Sequence, residues 1–187
     1  GCHWECSFCS VDTCREITGA RGKTRREERH IENVIGEMKA LYLEGLRHFV
    51  FADDEMLVQN AQDLRRWYEF AEGFKSVGDD ITVQCSVRSD VIFNNKDRDG
   101  GVARVTALTA LYEAGMTHVY IGFESGSPAQ LKRYNKSETV EDHLAAIDRL
   151  RKIGILAGGG FIMFDPLMSL EEILENISFL RRADLIS

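Results

Sequence analysis

A chain of 187 residues that is 44% apolar and 28% charged, with two prolines, has the composition of a globular polypeptide able to bury a core. No apolar run approaches the ~18 to 20 residues of a membrane span, so no membrane partner and a cytoplasmic location are expected. A net charge of −7 speaks against a general nucleic-acid binder, and five cysteines, an odd number in a chain opening on no secretory pattern, speak against a disulfide framework.

The chain opens Gly1-Cys2-His3-Trp4-Glu5-Cys6-Ser7-Phe8-Cys9-Ser10, three cysteines spaced C-x3-C-x2-C with no fourth at ligand spacing. A basic stretch, Arg21-Gly22-Lys23-Thr24-Arg25-Arg26, reads as a solvated loop or as a contact for an anionic partner. Ile31, Ile35, Met38, Leu41 and Tyr42 then recur at helical spacing up to Gly45. His48 to Ala52 is a short strand run that breaks into Asp53-Asp54-Glu55, and Leu64, Trp67, Ala71 and Phe74 form a second helical face. Ile81 to Val87 reads as a strand, and Leu108, Leu111 and Tyr112, ending at Gly115, as the helix after it. His118 to Phe123 is the next strand, followed by the turn Glu124-Ser125-Gly126-Ser127-Pro128. Thr139 and Asp142 can cap a helix with buried face Val140, Leu144, Ile147 and Leu150, closed by Gly154. Leu156 to Phe164 is the last clear strand. Ser169-Leu170-Glu171-Glu172 then forms a capping box for a helix carrying Ile173, Leu174, Ile177 and Leu180, and Leu185 with Ile186 begins a further strand.

Strands alternating with helices predict an α/β fold with a parallel sheet, because a parallel neighbour is reached only through a crossover. A doubly wound open sheet and a curved barrel share this pattern. The polar motifs decide for the barrel: the acidic cluster, Arg88-Ser89-Asp90 and Glu124 each follow a strand, as chemistry does at the C-terminal ends of barrel strands.

Three thiolates on a four-iron cluster leave one iron open, whereas electron-carrier clusters and structural zinc sites close with four protein ligands. His3 or Cys14 could complete a zinc set, although His3 adjoins Cys2 and turns onto the same metal only with difficulty. The C-x3-C-x2-C run with an aromatic residue before the third cysteine resembles the radical S-adenosylmethionine (SAM) enzymes. That resemblance implies a 4Fe-4S cluster held by Cys2, Cys6 and Cys9, with SAM chelating the open iron. It implies reductive cleavage of SAM to a 5'-deoxyadenosyl radical for hydrogen abstraction, fed by an external one-electron reductant such as flavodoxin or ferredoxin. The implied fold is a partial (βα)6 TIM-like barrel. Residues 1–187 would then be a truncated fragment of that core domain, with the first strand and last βα unit outside the chain.

The resemblance also implies residue roles. Phe8 meets the adenine of SAM, and Asp53 and Asp54 accept from its amino group. Ser86 and Arg88 point into the barrel mouth, where Arg88, or Lys136, pairs with the SAM carboxylate. Glu124 holds the ribose, and Ile162, in Gly158-Gly159-Gly160-Phe161-Ile162-Met163-Phe164, lines the adenine pocket. Here Phe164-Asp165-Pro166 departs from the glycine-proline form many relatives have. Phe51-Ala52-Asp53-Asp54-Glu55 is most similar to the cobalamin-dependent subgroup, which adds methyl transfer and a cobalamin bound by a domain outside this chain. The alternatives are an iron-sulfur electron-transfer or redox-sensor module without SAM chemistry, and a non-catalytic relative of the barrel. No residue reads a substrate class, and Cys14 and Cys85 read as inert thiols.

Overall fold

A computed structural model describes residues 1–17, 27–58, 61–96 and 101–186. The basic stretch at Arg21 to Arg26 lies outside these. The four full-length apolar runs read as strands pair in sequence order: β1 (His48–Val50), β2 (Thr82–Val87), β3 (Met116–Glu124) and β4 (Leu156–Phe161) form one parallel sheet in the order β1-β2-β3-β4. A doubly wound sheet reverses its strand order at a switch point. This order does not reverse, so the sheet winds in one direction as a barrel segment does.

Among the described residues eight helices connect and flank the strands: α1 (Val11–Ile17), α2 (Ile31–Leu43), α3 (Ala61–Lys75), α4 (Ser89–Ile92), α5 (Val102–Glu113), α6 (Pro128–Arg133), α7 (Val140–Ile153) and α8 (Leu170–Arg182). The five expected helices are α2, α3, α5, α7 and α8. Three short ones were not legible, because α1, α4 and α6 have at most seven residues, too few to repeat an apolar period. Both expected capping boxes form, Thr139 with Asp142 on α7 and Ser169 with Glu172 on α8. Leu185 and Ile186, expected to begin a strand, are irregular here. β4 ends at Phe161, three residues short of the expected Phe164, where the pairing with β3 slips between Gly122 and Glu124.

The sheet has two unlike faces. Phe49, Val83, Cys85, Val87, Val119, Ile121 and Phe123 are buried on one side in a core with Trp67, Phe74, Leu108, Leu111 and Leu150 of the helices. On the other side Val50, His118, Tyr120, Leu156 and Gly158 are exposed, with Gln84, Ser86 and Gly122 half-buried between them. This is the face a closed barrel would turn inward. Cys85 belongs to the helix side, where burial pushes its thiol up to about 12, in keeping with an inert filler.

The glycines of β4 differ according to the face on which they sit. A Cβ at Gly158 would meet nothing within 4 Å, whereas one at Gly159 would strike the Phe123 ring and come within 2.5 Å of the Ile121 carbonyl oxygen. Gly159→Ala is therefore expected to cost about 1 to 3 kcal/mol of overpacking in urea denaturation, and Gly158→Ala to leave stability within about 0.5 kcal/mol.

Candidate active site

The cysteine loop precedes α1 and is irregular, so its own backbone cannot hold it. Tertiary bonds hold it instead. The Ser7 amide donates to the Tyr134 carbonyl at 2.9 Å, the Ser7 hydroxyl to the Arg133 carbonyl at 3.0 Å, and the Asn135 amide nitrogen to the Glu5 carbonyl at 2.9 Å. Phe8 packs edge-on against Tyr134 with ring centroids 5.2 Å apart. The loop thus sits on the segment after α6, at the end of the sheet where β2 and β3 finish. The Cys9 amide donates to the Cys6 carbonyl at 3.0 Å, a tight turn that makes these two thiols neighbours.

Two contacts join the cysteines to the strand ends. The Cys2 thiol donates to Glu55 Oε2 at 3.5 Å, in the acidic turn that also carries Asp54. The acidic turn is itself tied to β2, since the Met56 amide donates to the Ser86 carbonyl at 3.1 Å. Arg88, buried just past β2, places Nη1 3.7 Å from Cys6 Sγ, with its guanidinium 3.9 Å from the Trp4 ring centre. The rest of that guanidinium faces Asp90 at 3.2 Å, Glu138 at 3.2 Å and the Lys136 carbonyl at 2.7 Å. Lys136, also buried, sets Nζ 3.2 Å from Glu138.

Glu124 ends β3 with φ of 65°, a left-handed backbone uncommon outside glycine, and the Ile162 amide donates to its carbonyl at 2.8 Å. A Cβ added to Gly122 would lie 2.5 Å from Glu124 Oε1 and 3.5 Å from Lys136 Nζ, so carboxylate and ammonium converge over that bare glycine. Burial raises the Glu124 carboxyl above its usual range, and the Lys136 charge opposes the rise. Burial likewise raises Cys2 to about 11, helped by Glu55, and raises Cys6 against the opposing charges of Lys136 and Arg88.

The structure therefore brings Cys2, Cys6, Cys9, Asp54, Arg88 and Glu124 to one end of the sheet, together with Lys136. Asp53 is exposed beside Asp54, Ser86 lies half-buried on the open face, and Ile162 is half-buried beside Glu124. Phe8 stands apart, committed to Tyr134. Sequence reading missed Glu138 and Trp4. Glu138 falls in a charged turn, Asn135-Lys136-Ser137-Glu138, which looks solvated until Arg88 and Lys136 close on it. Most of the donors of Arg88 are engaged by protein acceptors.

Among the described residues no group of three or more His, Cys, Asp and Glu side chains could hold a single metal ion. A cubane asks for something else: soft thiolates, each on a different iron atom, so donors spread along one loop suit it. Loading would displace the proton that Cys2 gives Glu55.

Residues 1–180 match the Radical SAM superfamily. The chain belongs to that superfamily. Over 141 residues, 73% of the chain, it is 34% identical to 4'-phospho-dehydrooxetanocin synthase of Priestia megaterium, of which that stretch is 19%. Over 99% of its length it is 30% identical to an uncharacterized methyltransferase of Pyrococcus horikoshii, covering 36% of it. The solved structure of the cobalamin-dependent S-adenosylmethionine radical enzyme OxsB, with aqua-cobalamin and S-adenosylmethionine bound, superposes with a TM-score of 0.81 at 29% identity, over 96% of this chain and 25% of that one. The radical SAM methyltransferase TsrM of Kitasatospora setae shares the fold, with a TM-score of 0.73 at 18% identity, over 98% of this chain and 32% of its own. The chain thus spans about a fifth to a third of the length of these relatives.

Behind the site of this radical SAM chain lies His143 of α7, fully buried, with Nδ1 2.6 Å from Ser89 Oγ and its ring edge-on to Phe123 and Phe179. Burial, with the Lys136 charge adding, pushes it from 6.5 down to about 3, against the opposing charge of Asp142. The folded protein keeps this imidazole neutral while the unfolded chain takes up a proton below about pH 6.5. Stability is therefore expected to fall as pH drops from about 6.5 toward 3, by at most about 1.4 kcal/mol per pH unit from this group. His143→Gln should remove that share of the slope in urea melts taken across the range.

Proposed function

We propose that this chain is the part of a radical SAM enzyme that binds a 4Fe-4S cluster through Cys2, Cys6 and Cys9 and cleaves S-adenosylmethionine there. The reading is carried by one observation, the docking of the three-cysteine loop at the strand ends, with Cys6 against Arg88 and Cys2 against Glu55. When bound, the cluster supplies the electron that breaks a carbon-sulfur bond of the sulfonium. The protein's own groups bind and orient. Glu124 accepts from the ribose hydroxyls, and the Lys136 charge beside it favours the ionised, accepting form. Asp53 and Asp54 offer acceptors to the SAM amino group, and Lys136 with Arg88 offers positive charge to its carboxylate. Ile162 supplies apolar contact for the adenine, which the backbone at Phe8 meets while its ring stays on Tyr134, and Ser86 lies at the mouth of the open face.

The likeness of this chain to cobalamin-dependent enzymes supports methyl transfer or related chemistry, with cobalamin bound by a part of the protein beyond these residues. An external one-electron reductant such as flavodoxin or ferredoxin, and a cytoplasmic location, complete the proposal. Among the described residues no helix is long and apolar enough to cross a membrane.

Electron paramagnetic resonance of the anaerobically reconstituted, dithionite-reduced full chain tests the reading. A 4Fe-4S signal that changes shape on adding SAM is expected, and a signal indifferent to SAM would return the chain to electron transfer or sensing. Cys6→Ala should abolish cluster assembly, read as loss of iron and of the brown colour, because two thiolates do not hold a cubane. Glu124→Gln should leave iron content unchanged and weaken SAM binding by roughly 1 to 3 kcal/mol in a titration, the cost of lost hydrogen bonds to a charged acceptor.

A further inference from the structure

The contact between Arg88 and Cys6 has a charge arrangement that bracing alone does not require. A loop can be anchored by uncharged hydrogen bonds, as the Ser7 backbone amide and the Asn135 side-chain amide already anchor this one. Arg88 instead points one guanidinium edge, Nη1, at the sulfur of a cysteine, 3.7 Å away. Its Nε and Nη2 face the other way, to Asp90 at 3.2 Å and Glu138 at 3.2 Å. The group is 5% exposed, and the Glu138 side chain is wholly buried. Positive charge is thus nearest the sulfur, with negative charge behind it, in surroundings where water screens poorly.

We infer that Arg88 sets the reduction potential of the cluster bound through Cys6, and that Glu138 moderates it from behind. This rests on the cluster reading proposed above. A cluster that gains one electron becomes more negative, so a fixed cation donating to a ligand sulfur stabilises the reduced form and raises the potential. The electron comes from the external low-potential reductant. Arg88 gives up neither proton nor electron. Its place is that of a positioning residue acting through Cys6, and Trp4, stacked on its face at 3.9 Å, keeps solvent from that side.

The test is a redox titration, followed by electron paramagnetic resonance, of the reconstituted full chain and three variants. Arg88→Gln removes the cation, and the ratio of reduced to oxidised cluster at a fixed poise should fall about tenfold, a shift of about 59 mV to lower potential for a one-electron couple. Glu138→Gln removes the opposing charge and should move the potential the other way. Arg88→Lys keeps the charge and should lie nearer the wild type than Arg88→Gln does. Opposite shifts from the two neutralising variants are a signature that loosened packing would not give. Potentials that coincide with the wild type, or that shift in one direction for both, would overturn the inference while a SAM-responsive wild-type cluster leaves the proposed function standing. A wild-type chain that assembles no cluster would remove both. If Arg88→Gln holds no iron, Glu138→Gln decides: an upward shift supports the inference and none overturns it.

Discussion

A guanidinium withdrawn from water must be surrounded by acceptors, and the site is organised around how Arg88 meets that demand. Asp90 comes from α4, just after β2, while Glu138 and the Lys136 carbonyl come from the turn between α6 and α7. The Cys6 sulfur and the Trp4 ring come from the cysteine loop. Three segments far apart in the chain are therefore fixed relative to one another by one side chain. Removing Asp90 or Glu138 would leave charge less compensated in a place where compensation from solvent is poor.

The turn that completes this cluster is held in its own right. Arg133 pairs with Glu172 at 2.8 Å and with Asp165 at 3.0 Å, while the Tyr134 hydroxyl and Gln130 also donate to Asp165. These bonds hold the Asp165 carboxyl well below the usual carboxylate range. Asn176 of α8 accepts from the Ser125 hydroxyl and the Gly126 amide, and donates to Gln130. A chain of buried hydrogen bonds thus runs from α8 through α6 to the platform on which the cysteine loop rests. Asp165 has a structural employment here. The loop's position follows from this buried polar layer more than from any apolar contact of its own.

Long periodic elements were legible because burial of one face imposes a repeat that survives in one dimension. The α7 stripe and its capping box are local facts: the box forms, and Val140, Ile147 and Leu150 are buried as read, with Leu144 half-buried. Leu41, Leu174 and Tyr112 fit the same helical repeats yet are exposed, since a repeat reports a face and not what covers it. The length of β4 was overestimated because the slip opposite Glu124 is set by the neighbouring strand. Periodicity does not separate a singly wound sheet from a doubly wound one; the polar motifs at strand ends favoured the former, and the strand order agrees.

For the site, the sequence by itself supplied the candidate donor set. C-x3-C-x2-C spacing is a local pattern, and three soft thiolates on one short loop carry their chemistry wherever that loop rests. It also marked Arg88 and Glu124 by their places after strands. Tertiary structure alone decided which charges face which. It placed Glu138 behind Arg88, turned Lys136 toward Glu124 over Gly122, and committed Phe8 to Tyr134. The physical reason is that a charge's role depends on its nearest partners and on how much water reaches it. Both are properties of segments brought together across fifty or more residues of chain, as Cys6, Arg88 and Glu138 are.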